Sequence, residues 1–386
     1  MKITDVTTIR FKSKSRTVRD TDGHAHPGPE HDVVQTLLKI VTDEGIEGYN
    51  FGGNPQIIAS VIKPAILGKD PFFREKIWQD LKERQRLNLG TLSDRLLAVV
   101  DLALWDLAGR SLNQPVYKLL GAYRDKVPAY ASTMCGDDLE GGLATPEDYG
   151  KFAEQCMVRG YPAFKLHTWQ PPIPGAPDPK RDVAACRAVR DAVGPDVDLM
   201  LDPYHYYDRE ASRYLAVALE KLGYYWMEEP MDEHSMSSYV WLTEQTSLPI
   251  VGPETAEGKM HVRAEWIVRN ACDISRAGVG DVGGLTPLMK TVHLCEAFGM
   301  RCEIHGGGPG NLHALCAMSN GEYYERGLLH PFIDYEDPAP WLNALVDAMD
   351  GEGYVHVSQN PGLGWDLNWD YIEANKIEDC RKTQTF

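Results

Sequence analysis

Three acidic residues recur at equal intervals in the second half of the 386-residue chain, each near the end of a short apolar segment. They are Asp202, Glu228 and Glu254, and 26 residues separate each from the next. Carboxylates that converge repel one another unless a cation lies between them. All-oxygen ligation suits Mg²⁺, with Mn²⁺ as the main competitor. The sequence therefore predicts a metal site, and the alternative is that the three acids cap helix N-termini.

Titratable residues also end two other apolar segments. AFKLHT (163–168) carries Lys165 and His167, and RCEIH (301–305) ends in His305. Because a buried parallel strand is normally apolar throughout, polar groups confined to strand ends indicate one shared site. Imidazole can exchange protons near neutral pH, and a lysine can add positive charge beside a metal.

The elements that must position these residues alternate regularly from about residue 126. Apolar strand candidates alternate with amphipathic helices such as REASRYLAVALEKLG, which implies parallel βαβ units. Eight such strands predict a closed barrel whose C-terminal strand ends share one mouth. The candidates are 127–132, 163–168, 198–203, 224–230, 249–254, 273–278, 301–305 and 322–326. Five prolines in QPPIPGAPDP (170–179) predict an inserted loop.

Residues 1–125 have a mixed pattern that predicts a separate α+β domain. A strand and a turn at Asp43-Glu44-Gly45 are expected within 33–49, and a buried helix over 95–112. Residues 19–32 are rich in turn formers and predict a loop that could act as an active-site lid. Residues 49–55 are the second predicted lid loop.

The composition narrows the classes of function. A net charge of −17 argues against nucleic acid and anionic membranes as partners. The chain has no long apolar run and its polar start lacks the apolar core of a signal peptide, so we expect a cytoplasmic protein. The eight scattered cysteines favour reduced, mostly buried thiols.

With these residues identified, the chain resembles the enolase superfamily, specifically the mandelate racemase subgroup. The resemblance rests on AVVDLALWDLAGRSLNQPVYKLLG (98–121), the Asp202, Glu228 and Glu254 set, Lys165-Leu166-His167, GGLT (283–286), His305 and PGLGW (361–365). It implies a (β/α)7β modified TIM barrel over 126–365, an N-terminal α+β capping domain over 1–125, and a segment, 366–386, that returns to the capping domain. It also implies a homo-oligomer.

The resemblance further implies a reaction. A carboxylate substrate chelates Mg²⁺, a base removes the proton α to that carboxylate, and the metal stabilises the enediolate. An acid then expels a β-hydroxyl, which dehydrates an acid sugar (aldonate, aldarate or uronate) to a 2-keto-3-deoxy acid. The alternatives are racemisation or epimerisation of a hydroxy- or amino-carboxylate, and a barrel that binds metal but has lost activity.

The resemblance also assigns roles to individual residues. Lys165 lies beside the substrate carboxylate, His167 (or Tyr204) is the base for one face, and His305 stands on the opposite face. Tyr204, Glu325 and His24 are expected to contact substrate.

One position departs from the family pattern. The family supports its opposite-face histidine with an Asp five residues before the Gly-Gly pair, where this chain has Gly278. Asp273 and Asp281 do not fit that register. We therefore expect His305 to be a weak base that serves as the acid, which favours dehydration over two-sided proton exchange.

Overall fold

The computed structural model describes residues 1–21, 23–88, 90–333 and 335–378. The N-terminal part is an antiparallel sheet packed against helices. Its strands are β1 (Ile3–Arg19), β2 (Ala25–Thr42) and β3 (Glu47–Phe51), in the order β1-β2-β3. Its helices are α1 (Pro55–Ile57), a π-helical turn (Ile58–Ile62), α2 (Lys63–Ile66), α3 (Arg74–Gln85), α4 (Asp94–Ser111) and α5 (Val116–Leu119). The predicted turn after residue 42 and the predicted buried helix are confirmed.

The prediction of an irregular loop over 19–32 is wrong. Strands β1 and β2 continue as a long hairpin in which Val18 pairs with His26 and Lys14 with Asp32, so most of 19–32 belongs to these two strands. Strand β1, before residue 20, pairs with residues 25–32, and the composition of 19–32 alone does not reveal this partner. The second predicted lid is also shorter, because β3 runs to Phe51 and α1 begins at Pro55. Residue 22 lies outside the described residues.

Within the part of the chain that the structure describes, eight parallel strands form the barrel: β4 (Lys126–Thr133), β5 (Ala163–His167), β6 (Asp198–Asp202), β7 (Trp226–Glu228), β8 (Ile250–Val251), β9 (Ser275–Ala277), β10 (Cys302–Ile304) and β11 (Tyr324–Leu329). Six pair in the order β11-β4-β5-β6-β7-β8, and β10 pairs with β9. A bridge between Val251 and Ile274 joins β8 to the start of β9. Glu303 of β10 accepts the N–H groups of Glu322 and Tyr323 just before β11, so the strands run round a ring.

The barrel helices are α6 (Pro146–Val158), α7 (Pro179–Val193), α8 (Arg209–Lys221), α9 (Met236–Thr243), α10 (Lys259–Val268), α11 (Val279–Val282), α12 (Leu285–Ala297) and α13 (Pro309–Leu315). Residues 170–178 form the predicted irregular insert. The predicted modified TIM barrel with an N-terminal capping domain is confirmed. Each strand from β4 to β10 is followed by a helix before the next barrel strand, so the C-terminal ends of the strands lie at one mouth.

The segment after the barrel returns to the N-terminal sheet. It contains β12 (Tyr354–His356), which pairs with β4, and α14 (Trp369–Ala374). The N–H of Ile377 donates to the carbonyl of Arg10, and the N–H of Lys12 donates to that of Asn375. Residues 379–386 of the predicted returning segment lie outside the described residues, and the proposed domain boundaries remain a prediction.

The seven described cysteines are buried and unpaired, as expected. Among the described residues, no helix has the length and apolar character needed to span a bilayer.

Candidate active site

The predicted site residues converge at the C-terminal ends of the barrel strands. They line one cavity of about 230 Å³, whose walls are Lys165, His167, Asp202, Tyr204, Glu254, His305, Gly306, Glu325, Gly327 and Leu328. They come from five strands, β5, β6, β8, β10 and β11, or from the loops that follow them, so residues far apart in sequence meet in one place.

Three carboxylates in this region approach closely enough to share a cation. One oxygen each of Asp202, Glu229 and Glu254 lies within 4.8 Å of the others, and all three residues are buried. Glu229 stands in this set where we predicted Glu228, but Glu228 also contacts Glu254, so the predicted ligand set stays a prediction. Strand β7 ends at Glu228, and Glu229 follows at a φ of 28°, so the two neighbouring side chains take different directions. The spacing of residues along the chain does not determine whether the side chain of Glu228 or that of Glu229 points toward the other two carboxylates.

Glu228 belongs instead to a closed ring of alternating charges inside the barrel. Its carboxylate lies 3.0 Å from Lys165 Nζ and 2.6 Å from Arg276 Nε. Glu325 completes the ring, 3.0 Å from Lys165 Nζ and 2.7 Å from Arg276 Nη2. All four residues are buried, so each charge depends on its neighbours for compensation. We did not predict Arg276; the available signal was an arginine inside the strand candidate DISRAG, because buried arginine is rare unless it is paired.

The ring keeps Lys165 charged. Burial by itself lowers the pKa of Lys165, but Glu228 and Glu325 outweigh that effect and raise it well above its usual value. Lys165 Nζ also lies 3.5 Å from Asp202. A fixed positive charge therefore borders the acidic cluster, as expected for a residue beside a substrate carboxylate.

The chemistry of the acidic cluster fits a divalent cation. Burial, with Glu254 and Asp202 adding repulsion, raises the pKa of Glu229 well above its usual value. Burial also raises that of Glu254, with Glu228 adding to the effect. The Oε2 atom of Glu229 is buried and has no hydrogen-bond partner among the residues that the structure describes. A buried oxygen without a partner, beside two further carboxylates, is what a hard cation would satisfy.

His167 faces the cluster from one side. Its Nε2 atom lies 3.0 Å from Asp202 Oδ2, and its Nδ1 atom lies 2.6 Å from the carbonyl oxygen of Thr133. A carbonyl can only accept, so Nδ1 carries a proton and Nε2 is the atom available to the cavity. Burial alone would raise the pKa of Asp202, but His167 and Lys165 outweigh it and hold that pKa below its ordinary value.

His305 faces the cluster from the other side and has a carboxylate partner, contrary to our prediction. Its Nε2 atom lies 3.1 Å from Glu254, and its Nδ1 atom lies 2.8 Å from Asp281 Oδ2. Burial lowers the pKa of His305, but Asp281 and Glu254 outweigh it and raise the pKa to about 10. Our expectation that His305 lacks a supporting acid and is a weak base is therefore wrong.

Gly278 explains how an acid three residues out of register reaches the histidine. A Cβ atom at position 278 would lie 2.5 Å from the carbonyl oxygen of His305 and 2.7 Å from Asp281 Oδ2. Only glycine leaves this space free, and the Asp281 carboxylate fills it. Asp273, the other candidate for the partner of His305, accepts the N–H of Ile250 at the start of β8, which is a structural role.

Two aromatic rings connect the hairpin tip to the site. Tyr204 lines the cavity and stacks on His167 with ring centroids 5.1 Å apart. His24, in the β1–β2 turn, lies over Tyr204 with centroids 4.3 Å apart. Burial raises the pKa of Tyr204 well above its usual value, so it is a neutral phenol rather than a base. His24 therefore reaches the site through Tyr204, above the cavity.

Comparisons with known proteins agree with this geometry. Residues 28–121 match the mandelate racemase / muconate lactonizing enzyme N-terminal domain, and residues 148–371 match the enolase C-terminal domain-like family. A D-glucarate dehydratase structure from Agrobacterium tumefaciens, complexed with magnesium, is 55% identical, with a TM-score of 0.96 over 98% of this chain and 100% of that chain.

Two curated relatives differ from each other in activity. Arabinonate dehydratase of Saccharolobus solfataricus is 27% identical over 365 residues, covering 90% of this chain and 92% of the relative. N-succinyl-L-Arg/Lys racemase of Bacillus cereus is 24% identical over 362 residues, covering 90% of this chain and 91% of the relative.

Proposed function

Because the chain belongs to the enolase superfamily, in its mandelate racemase subgroup, we propose that it is a Mg²⁺-dependent dehydratase of acid sugars. The observation that carries the proposal is the cavity in which an acidic cluster, a charged lysine and two histidines face one another. The relatives that dehydrate glucarate and arabinonate support a sugar acid as substrate. The 55% identical glucarate dehydratase makes an aldarate the first substrate to test.

Asp202 and Glu254 would hold the Mg²⁺ ion together with one carboxylate of the Glu228–Glu229 pair. The distances favour Glu229, whereas the spacing of the family motif favours Glu228, which also contacts Glu254. When bound, the ion neutralises the negative charge that develops on the substrate carboxylate as its α-proton leaves. Lys165, which borders the acidic cluster, adds to this positive field. Tyr204, Glu325 and His24 would contact the substrate.

The two histidines divide the proton transfers. Nε2 of His167 takes the proton from the α-carbon, because its Nδ1 proton is committed to the Thr133 carbonyl. The bond between the β-carbon and its hydroxyl then breaks, and Nε2 of His305 supplies the proton that makes the leaving group water. The resulting enol tautomerises to the 2-keto-3-deoxy acid. Asp281 supports His305 in this role because a neighbouring carboxylate stabilises the imidazolium before it donates.

Incubation with Mg²⁺ and a panel of aldarates, aldonates and uronates tests the function. We expect one or a few acids to lose one molecule of water and form a 2-keto acid, detected by mass and by a carbonyl-specific reagent. A panel that yields no keto acid overturns the proposal. A chelated sample is the control for metal dependence.

Racemisation or epimerisation is the second candidate. The sequence disfavoured it because His305 was expected to lack a supporting acid, and the Asp281–His305 contact removes that objection. Two histidines on opposite sides could remove and return a proton. Incubation in D₂O separates the reactions: deuterium at the α-carbon with inverted configuration and no keto acid indicates an epimerase. Replacing His305 by Asn should abolish dehydration while α-proton exchange through His167 survives.

We also propose that the protein acts in the cytoplasm as a homo-oligomer. Exposed apolar residues on the capping domain, Phe73 and Leu87, support an assembly. Light scattering coupled to size exclusion tests the assembly: a mass of one chain would contradict it. Cell fractionation tests the compartment.

A further inference from the structure

The acid that supports His305 is not held by the barrel sheet. Strand β9 ends at Ala277, and Asp281 lies in the short helix α11 that follows. The N–H of Asp281 donates to the carbonyl of Gly278 within the same turn, at 3.1 Å. A single helical turn has little stability of its own, so the position of α11 depends on the residues that pack against it. We call residues 278–286 the Asp281 loop.

The capping domain makes the hydrogen bonds that fix the far end of this loop. Trp78 of α3 donates its indole N–H to the carbonyl oxygen of Gly283, at 2.8 Å. Asp101 of α4 accepts the backbone N–H of Thr286 at 2.9 Å and its hydroxyl at 2.7 Å. Trp105 donates its indole N–H to the same hydroxyl, at 3.0 Å.

The loop is shaped for this close approach. Gly284 has a φ of 129°, and a Cβ atom there would lie 2.4 Å from a carboxylate oxygen of Asp101. The pair Gly283-Gly284 thus lets α4 reach the backbone of the loop. Asp101 is 2% exposed, so its carboxylate depends for its hydrogen bonds on the loop, which supplies the N–H groups of Leu285 and Thr286 and the Thr286 hydroxyl.

The near end of the loop is tied to His305 itself. Asn311 of α13 accepts the N–H of Val279 at 3.0 Å and donates to the carbonyl of His305 at 2.7 Å. The loop therefore has two anchors, one in the barrel beside His305 and one in the capping domain. Asp281 lies between them.

We propose that Asp101 of the capping domain is a positioning residue for proton transfer, acting through the Asp281 loop on the Asp281–His305 pair. The capping domain then contributes to the chemistry as well as covering the substrate. This inference rests on the proposed function only for its kinetic consequence; the mechanical link between Asp101 and the loop is independent of it.

The test combines Asp101→Asn with a double-mutant cycle against Asp281→Asn. Asp101→Asn keeps the size of the side chain but removes one acceptor oxygen. We expect kcat for dehydration to fall about 10- to 100-fold with little change in KM, because small displacements of catalytic groups have such effects. In the Asp281→Asn background, Asp101→Asn should cause no further fall in kcat. Independent, multiplying effects would overturn the proposal.

Thr286 offers a conservative rescue. Thr286→Ser keeps the hydroxyl and should retain wild-type kcat, whereas Thr286→Val removes it and should behave like Asp101→Asn. Equal activity of the two variants would contradict the role of the hydroxyl.

Asp106→Asn is the matched control. Asp106 lies on the same helix and is equally buried, but its carboxylate accepts the N–H groups of Tyr49 and Leu363, away from the Asp281 loop. Any effect of Asp106→Asn on kcat should be independent of Asp281→Asn, so the fold changes of the two variants should multiply in the double variant. We expect this even if Asp106→Asn lowers Tm as much as Asp101→Asn does. A structural role of Asp101 would make the two variants indistinguishable.

Hydrogen exchange measured by mass spectrometry separates failure of this inference from failure of the proposed function. Peptides that cover 278–286 should exchange faster in Asp101→Asn than in wild type, with no substrate present. If no acid sugar is dehydrated but exchange accelerates, the proposed function fails and the mechanical link stands. If dehydration is found but neither exchange in the loop nor the non-multiplying kinetics appears, the inference fails.

Discussion

The Oδ2 atom of Asp281 lies 2.8 Å from the Nδ1 atom of His305, and this contact fixes the orientation of the imidazole toward Glu254. The carboxylate reaches the ring from a helical turn, through the space left by a glycine. A histidine held in this way presents Nε2 to the cavity in one orientation, and its protonated form is stabilised.

Replacing Asp281 by Asn should lower kcat for dehydration at least about 100-fold, because the amide no longer supplies negative charge to the imidazolium. KM should change little, since Asp281 does not line the cavity. Steady-state kinetics with the substrate from the panel measures both constants. Asp273→Asn is the control: Asp273 binds the backbone of Ile250, so its loss should affect stability and leave kcat near wild type. A large fall in kcat for that variant alone would restore Asp273 as the partner.

Gly278→Ala should impair catalysis although it adds one methyl group. The new Cβ atom would collide with the His305 carbonyl and the Asp281 carboxylate, so one of them must move. We expect kcat to fall about 10-fold or more. Gly280→Ala, two residues away, is the matched control, because a Cβ atom there would meet no described atom within 4 Å beyond its chain neighbours and its own helical backbone. Similar kinetics for the two variants would contradict the explanation given for glycine at 278.

Removing one acid of the cluster should weaken Mg²⁺ binding. Asp202→Asn is expected to raise the Kd for Mg²⁺ at least about 10-fold, because the ion loses a charged ligand. Isothermal titration measures it, with the helix-capping Asp208→Asn as a surface control. The same titration on Glu228→Gln and Glu229→Gln identifies the third ligand. The distances predict the larger loss for Glu229→Gln; a larger loss for Glu228→Gln would instead support the motif spacing.

His313 should make the protein less stable as the pH falls. Its Nδ1 atom accepts the N–H of Tyr117, and burial lowers its pKa to about 4, below the ordinary value of about 6.5. The unfolded chain therefore binds a proton first, so this stability is present above about pH 6.5 and is lost as the pH falls toward 4. The loss should be roughly 2–3 kcal/mol.

Urea unfolding at pH 7 and pH 4.5 measures this loss in wild type and His313→Asn. The variant should lose less stability between the two pH values, because it lacks the titrating group. His261→Asn, at an exposed position, is the control and should follow wild type. Identical pH dependence in wild type and His313→Asn would show that His313 does not titrate across this range.

The sequence by itself determined the barrel, the capping domain and most of the site. Alternating apolar strands and amphipathic helices have few other solutions, and polar residues at the ends of such strands must meet at one mouth. Lys165, His167, Asp202, Glu254 and His305 were found in this way because each interrupts an otherwise apolar strand end.

Only the tertiary structure decided the finer matters, each for a physical reason. The direction of a side chain after the last strand residue depends on the local backbone, which separates Glu228 from Glu229. The role of Arg276 depends on its ion pairs with Glu228 and Glu325, which lie on strands distant from it in sequence. The hairpin over residues 25–32 required the pairing partner in β1. Asp281 lies near His305 because Gly278 leaves room and the capping domain holds the loop, and neither condition can be read from residue spacing.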